Sequence, residues 1–407
     1  MNILINLVFV PQEPTGLANY SLNLFRHLQT LQHPENLGSS PDFPDSQTYQ
    51  GSQGSGNPED SQGCHHQGGL SIPHRGGYAN APQNLPPQNL QIIDRYQYPR
   101  LTNDFGIRGH LRRLAWTQWQ LPQIYRQQRA DLIFSPIPEA PLFSKCRSIV
   151  TIHDVIPLRF PQWFSQGQKF YSRYYIQQVL QQADHVLCNS QTTAIDVQQF
   201  FHISPAKLTI TPLACNHDQF WFLDLPPSNY FLYLGRSNPH KNVGRLIRAF
   251  AQLPQGKDSE LWIAGSSDRR YTPDLIQLAA NLGISDRVKF LNYVPDAELP
   301  EMINRAIALV FPSLWEGFGL PILEAMACGT PVITSNLSAL KEVAGEAALL
   351  VDPYQVTEIA GAMREIIHDA SLRSHLCRLG LARAAQFTWQ QTAAATQSVI
   401  NKLTINA

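Results

Sequence analysis

Two carboxylates, Glu316 and Glu324, stand eight residues apart within Ile307–Ser335, with Gly317, Phe318, Gly319, Leu320 and Pro321 between them. Carboxylates accept hydrogen bonds from hydroxyl groups. Glycines without Cβ let backbone N–H groups approach an anion, and a helix N-terminus adds unpaired donors and a positive dipole end. The combination suits a phosphorylated, hydroxyl-rich ligand. Two cations, Arg236 and Lys241, flank the loop after an apolar run, Tyr230–Leu234, where they would neutralise a diphosphate. His153 and Asp154 follow the apolar run Ile149–Ile152, at the carboxyl end of a strand, where open α/β sheets place their ligands. Each feature also has a plainer reading. The glycines can serve a turn, Glu324 can complement a helix dipole, the cations can be solvated charges and the histidine structural.

The elements that position these residues alternate strand and helix. Ile307–Phe311 reads as a buried parallel strand ended by Pro312, Pro321 as the first position of a helix with Glu324 in its first turn, Gly329 as its stop, and Pro331–Ser335 as the next strand. The chain opens with strand Asn2–Val8, loop Phe9–Thr15 and a helix from Gly16, a second place where a sheet receives a ligand or where Gly16 only starts a helix. His33–Asn89, crowded with Pro, Gly, Gln, Ser and Asn, cannot bury enough surface to offset its ordering entropy; it reads as a surface insertion, neutral rather than an acceptor lid. Leu90–Tyr96 resumes the sheet. Ile107–Gln128 is predicted helical with a break at Pro122. Its arginines and tryptophans could lie on an anionic membrane surface, but Leu111, Leu114, Leu121 and Ile124 more simply bury one face. Asp131–Ser135, Val186–Cys188 and Lys207–Thr211 complete a first set of strands, with a helix at Phe164–Gln182 and Ser190 as an N-cap. A second set follows at Tyr230–Leu234, Leu261–Ala264, Val288–Leu291, Ile307–Phe311, Pro331–Ser335 and Ala348–Val351.

At 407 residues, 43% of them hydrophobic, the chain is long enough for two or three globular domains. Its 31 basic and 31 acidic residues cancel, so no global attraction to nucleic acid is implied. The six cysteines form no CxxC or Cys/His metal spacing and read as free thiols of a reducing compartment. No basic leader precedes the first apolar run and no stretch reaches the ~20 apolar residues of a membrane span, so a cytoplasmic protein, at most peripheral at the inner membrane face, is expected.

The run Glu-Gly-Phe-Gly-Leu-Pro-x-x-Glu-Ala-Met-Ala-x-Gly-x-Pro-Val resembles the C-terminal signature of retaining glycosyltransferases of family 4, which have the GT-B fold. His-Asp-x-x-Pro at His153 and Gly-Arg-x-x-x-x-Lys-Asn, eighty residues before Glu316, extend the likeness over essentially the whole chain except 33–89. The resemblance implies an α/β protein of two Rossmann-like domains facing across a cleft: 1–212 on the acceptor side, 213–387 holding the nucleotide-sugar, and 388–407 as a helix crossing back. It implies that Glu316 contacts the donor sugar, Glu324 the ribose, Arg236 and Lys241 the diphosphate with the N–H groups of Gly317–Leu320, and His153 the reacting centre. Tyr293, Val294 and Leu299 would surround the base, with hydrophobic capping of a helix start as the alternative; Gly16 and Asp154 would face acceptor or phosphate. No Asp-x-Asp pair occurs, so no metal or other cofactor is expected. The partners implied are a nucleotide-sugar donor and a carbohydrate or lipid-linked acceptor. The motifs look most like members using GDP-mannose for cell-surface polysaccharide, with UDP-glucose users next. A non-catalytic nucleotide-sugar-binding protein of the same fold is the opposing reading, and a GT-B epimerase or phosphorylase a further one.

Overall fold

The computed structural model describes residues 2–9, 16–32, 89–94, 101, 107–254 and 259–405. Among them the strands form two six-stranded sheets, parallel throughout. The first contains β1 (Asn2–Leu7), β2 (Asn89–Asp94), β3 (Leu132–Ser135), β4 (Ser148–Ile152), β5 (His185–Cys188) and β6 (Leu208–Ile210), in the order β2-β1-β3-β4-β5-β6. The second contains β7 (Tyr230–Leu234), β8 (Glu260–Ala264), β9 (Val288–Asn292), β10 (Ala308–Phe311), β11 (Val332–Ser335) and β12 (Leu349–Val351), in the order β12-β11-β10-β7-β8-β9. Strands such as β3, β4, β7 and β10 are buried along their whole length, as continuous apolar runs covered by helices on both faces must be. All but one residue of the 33–89 insertion lies outside the described residues; Asn89 itself begins β2.

Strand order fixes where a ligand can enter. In the second sheet the direction of winding reverses between β7 and β10, which pair side by side with Phe231 opposite Ala308 and Leu232 opposite Leu309. Loops leaving the carboxyl ends of such neighbours diverge and open a crevice. In the first sheet the reversal falls between β1 and β3, beside β4.

The helix expected over Ile107–Gln128 is two helices, Ile107–Trp119 and Leu121–Gln127. The break falls at Gln120, two residues before Pro122, because a proline has no N–H for the preceding turn. Leu121 and Ile124 are buried as expected, together with Trp116, but Leu111 faces solvent. The helix expected from Phe164 starts at Gln166, after a capping box of Ser165 and Gln168, and passes through a π-turn at Tyr171–Tyr175 before ending at Gln182.

One apolar core runs from Ile3, Tyr20 and Phe25 under the first sheet, through Leu213, Phe220 and Trp389, to Phe231, Phe250 and Met326 under the second. The helix Trp389–Ile405 packs along the helix Gly16–Gln32. Thr392 Oγ1 donates to Pro212 O (2.5 Å), and Arg147 Nη2 donates to Leu403 O (3.2 Å). Among the described residues no helix is long and apolar enough to cross a membrane.

Candidate active site

The loops after β7 and β10 bring Lys241 and Glu316 together. The ammonium donates to both carboxylate oxygens, at 2.7 and 2.8 Å. Lys241 ends a single 3₁₀ turn, Pro239–Lys241, and Asn242 follows in the left-handed region at φ 63°. That conformation, which asparagine tolerates, aims Asn242 Nδ2 at Pro312 O (3.0 Å) and Pro353 O (2.6 Å). Leu314 N also donates to His240 O at 2.7 Å, so the lysine loop is stitched to the glutamate loop by the backbone as well as by the ion pair. Arg236 is exposed on the same loop, its carbonyl held by the Tyr233 hydroxyl at 3.0 Å.

The first sheet contributes the opposite wall. His153 leaves β4 and its Nε2 lies 2.9 Å from Pro136 O. A carbonyl only accepts, so Nε2 carries the proton and Nδ1 keeps its lone pair. Burial pushes the imidazole down to about 4 against the opposing pull of that carbonyl, so the ring is neutral near pH 7. Its edge meets Tyr20, with ring centroids 4.8 Å apart. Water reaches Asp154, yet its crowded setting and the charge of Glu316 raise its carboxyl pKa, opposed by the Ile156 N–H that it accepts at 3.0 Å and, less strongly, by Lys241. The two walls touch at Gly317: a Cβ there would lie 1.7 Å from His153 O, so only glycine permits this approach. Gly16 also faces the loop's end but without that constraint, its notional Cβ making an ordinary 3.7 Å contact with Leu320 Cδ1. Of the loop before Gly16, residues 10–15 lie outside the described residues.

Gly319, at φ 113°, caps the helix Leu320–Ala327; Pro321 has no N–H and Ile322 N donates to Gly319 O at 3.1 Å, so Leu320 supplies the N–H at the helix start. Pro321 is the second helical residue rather than the first, and Glu324 falls in the second turn, not the first. The helix starts at Leu320, one residue earlier than a proline at its first position would require. Glu324 is therefore set back from the dipole end, and burial, with the Asp296 charge adding to it, raises its carboxyl to about 7. The Phe318 side chain packs edge-on against Phe387, so this residue offers the cleft its backbone alone. Tyr293 is exposed, whereas Val294 and Leu299 pack into the core, as hydrophobic capping of the helix Leu299–Asn304 would have them. Among the described residues no group of three His, Cys, Asp or Glu side chains is placed to hold a metal ion.

Residues 77–219 match the family described as Glycosyltransferase Family 4, and residues 218–379 the one described as Glycosyl transferases group 1. O-antigen chain mannosyltransferase B of Escherichia coli is 31% identical over 259 residues, which are 60% of this chain and 67% of that protein. The chain belongs to the family 4 glycosyltransferases. The O-antigen chain mannosyltransferase RfbU of Salmonella typhimurium is 29% identical to this glycosyltransferase over 66% of the chain and 75% of its own length. Sucrose-phosphate synthase from Thermosynechococcus elongatus superimposes with a TM-score of 0.72 at 20% identity, covering 100% of both chains. The fold of this glycosyltransferase is thus GT-B, with two parallel sheets facing across a cleft.

Several residues at the cleft of the glycosyltransferase carry little sequence signal. Ser190 caps the helix Gln191–Phe201 by accepting from Thr193 N, and its hydroxyl donates across the cleft to Gly317 O at 2.7 Å. Thr193 Oγ1 reaches the same carbonyl at 3.2 Å. Asp196 accepts from Trp315 Nε1 at 3.1 Å. The spacing of three among Ser190, Thr193 and Asp196 was the available signal, since it places them on one helix face.

Proposed function

We propose that this glycosyltransferase moves mannose from GDP-mannose to a hydroxyl of a glycan or lipid-linked acceptor, with the anomeric configuration retained and without a metal cofactor. The observation that carries the reading is the Lys241–Glu316 clasp, set against neutral His153 where the two walls of the cleft meet. The mannosyltransferase names of the two curated relatives support the choice of sugar.

In this reading Lys241, with Arg236 on the same loop, holds the diphosphate, and the backbone N–H groups around Gly317–Leu320 add to it. Glu316 positions the sugar hydroxyls and Glu324 the ribose hydroxyls. As the bond from sugar C1 to the phosphate oxygen breaks, charge grows on the leaving diphosphate, and these fixed donors stabilise it. The acceptor hydroxyl attacks C1 on the same face, and its proton passes to the departing phosphate oxygen. His153 lines the reacting centre as a neutral ring with a free Nδ1 lone pair, and Asp154 lies on the acceptor side. The acceptor is presented in the cytoplasm, at the inner membrane face when it is lipid-linked.

Calorimetric titration with GDP-mannose, GDP, UDP-glucose and UDP, all in EDTA, tests this reading. Binding confined to the guanosine pair supports it, and NMR of the product should then show the donor's anomeric configuration kept. Binding of the uridine pair alone assigns the donor to UDP-glucose chemistry, and binding of none of the four refutes the proposed donor.

A further inference from the structure

The loop that carries Glu316 is gripped from the opposite domain on both sides of that residue. On one side, the indole of Trp315 donates to Asp196 Oδ2 at 3.1 Å, and the Arg159 guanidinium lies 3.6 Å above its ring. Arg159 in turn pairs with Asp196 Oδ1. On the other side, Gly317 O accepts from Ser190 Oγ at 2.7 Å and Thr193 Oγ1 at 3.2 Å, and the glycine lies against His153 O. Ser190 caps the helix Gln191–Phe201, Thr193 lies in its first turn and Asp196 at its middle, and Arg159 ends the short helix Ile156–Arg159 just after His153 and Asp154.

Asp196 is only 2% exposed. A carboxylate buried at a domain boundary is costly unless both oxygens are matched, and here each has a partner, Arg159 on one and Trp315 on the other. Burial raises its pKa and those two partners oppose the rise. The Glu342 carboxylate also crosses the boundary, accepting from Gln191 N (2.9 Å) and Thr192 N (3.2 Å), but it is exposed and so more strongly screened by water.

We propose that Asp196 and Arg159 are positioning residues that act through Trp315, setting Glu316 relative to His153 across the domain boundary. The inference rests on the reading of Glu316 as a donor-sugar contact. In that reading nucleotide and phosphate contacts come from the second domain alone, through Arg236, Lys241 and Glu324. The latch therefore separates two quantities that a simple binding defect would change together: affinity for the nucleotide, and the rate of sugar transfer.

The test is Asp196→Ala, assayed for transfer and for calorimetric binding of GDP or UDP, whichever the wild type binds. The expected result is a kcat lower by ~10–100-fold, the range that a misplacement near 1 Å produces, with the nucleoside diphosphate Kd within about twofold of wild type. Hydrogen exchange of residues 313–319 supplies a readout independent of catalysis, and it should quicken in the variant without ligand. Unchanged kcat, unchanged exchange, or a parallel loss of kcat and nucleotide affinity overturns the proposal. Trp315→Phe keeps an aromatic ring beneath the guanidinium while removing the N–H donor with part of the indole. It should show the same split at smaller size, and it carries the test if Asp196→Ala does not fold. A wild type inactive with every donor would refute the functional reading while leaving the exchange result to decide the latch.

Discussion

Lys241 and Glu316 hold opposite charges 2.7 Å apart with side chains 20% and 10% exposed. Removing one partner strands the other in a poorly hydrated place. Glu316→Ala and Lys241→Ala should each abolish transfer and lower stability by about 3 kcal/mol, with cooperative unfolding kept, while the double alanine variant loses less than the sum. Urea unfolding beside a transfer assay checks both parts. Glu324 makes a pH prediction. Its folded pKa, about 7, lies above the ordinary 4.5. The stability it contributes is therefore fully present below pH 4.5 and is lost as pH rises through 7. Glu324→Gln should be more stable than wild type at pH 8, by on the order of 2 kcal/mol. A ribose hydroxyl donates best to the ionised form, so wild-type nucleotide affinity should climb through pH 7 and the variant should lose that climb; calorimetry across roughly pH 5.5–8.5 reads it. At this scale, residues with a chemical signature were legible in the sequence: Glu316 between aromatic and glycine, Lys241 before asparagine, His153 before aspartate. Asp196 was not, because a carboxylate in the middle of a helix looks like a solvated charge until the facing indole is known.

Among the elements, the tightest constraint is the approach of the β10 loop to the end of β4. Gly317→Ala puts a carbon 1.7 Å from the His153 carbonyl, a backbone atom that cannot swing aside as a side chain would. The variant should keep its far-ultraviolet circular dichroism, lose ~100-fold or more in kcat, and show a larger radius of gyration by small-angle scattering as the walls part. The strand runs were readable because a parallel sheet buries them whole, leaving an apolar run with little else to do. Boundaries were less so. The helix holding Glu324 began at Leu320 because Gly319 takes a positive φ, which an isolated glycine does not announce. The π-turn at Tyr171–Tyr175 inserts its extra residue without any sequence break.

Across the whole molecule, the helix Trp389–Ile405 follows the second sheet in sequence yet lies on the first layer's helix Gly16–Gln32. Trp389 is 5% exposed and its ring centroid is 6.2 Å from that of Tyr20. Trp389→Ala should cost ~3–5 kcal/mol in urea unfolding, and coincident transitions by fluorescence and circular dichroism would show that the two layers unfold together. The family resemblance implied such a crossing; apolar periodicity alone does not say which surface a helix will cover. The order of synthesis gives this packing a further meaning. Thr392 and its acceptor Pro212 are 180 residues apart. At ~5–20 residues per second, the ribosome needs roughly ten to forty seconds to deliver that helix after the first sheet has emerged. For that interval the nascent first half carries an uncovered apolar flank around Tyr20, and it is then that the growing chain most needs a chaperone's shelter.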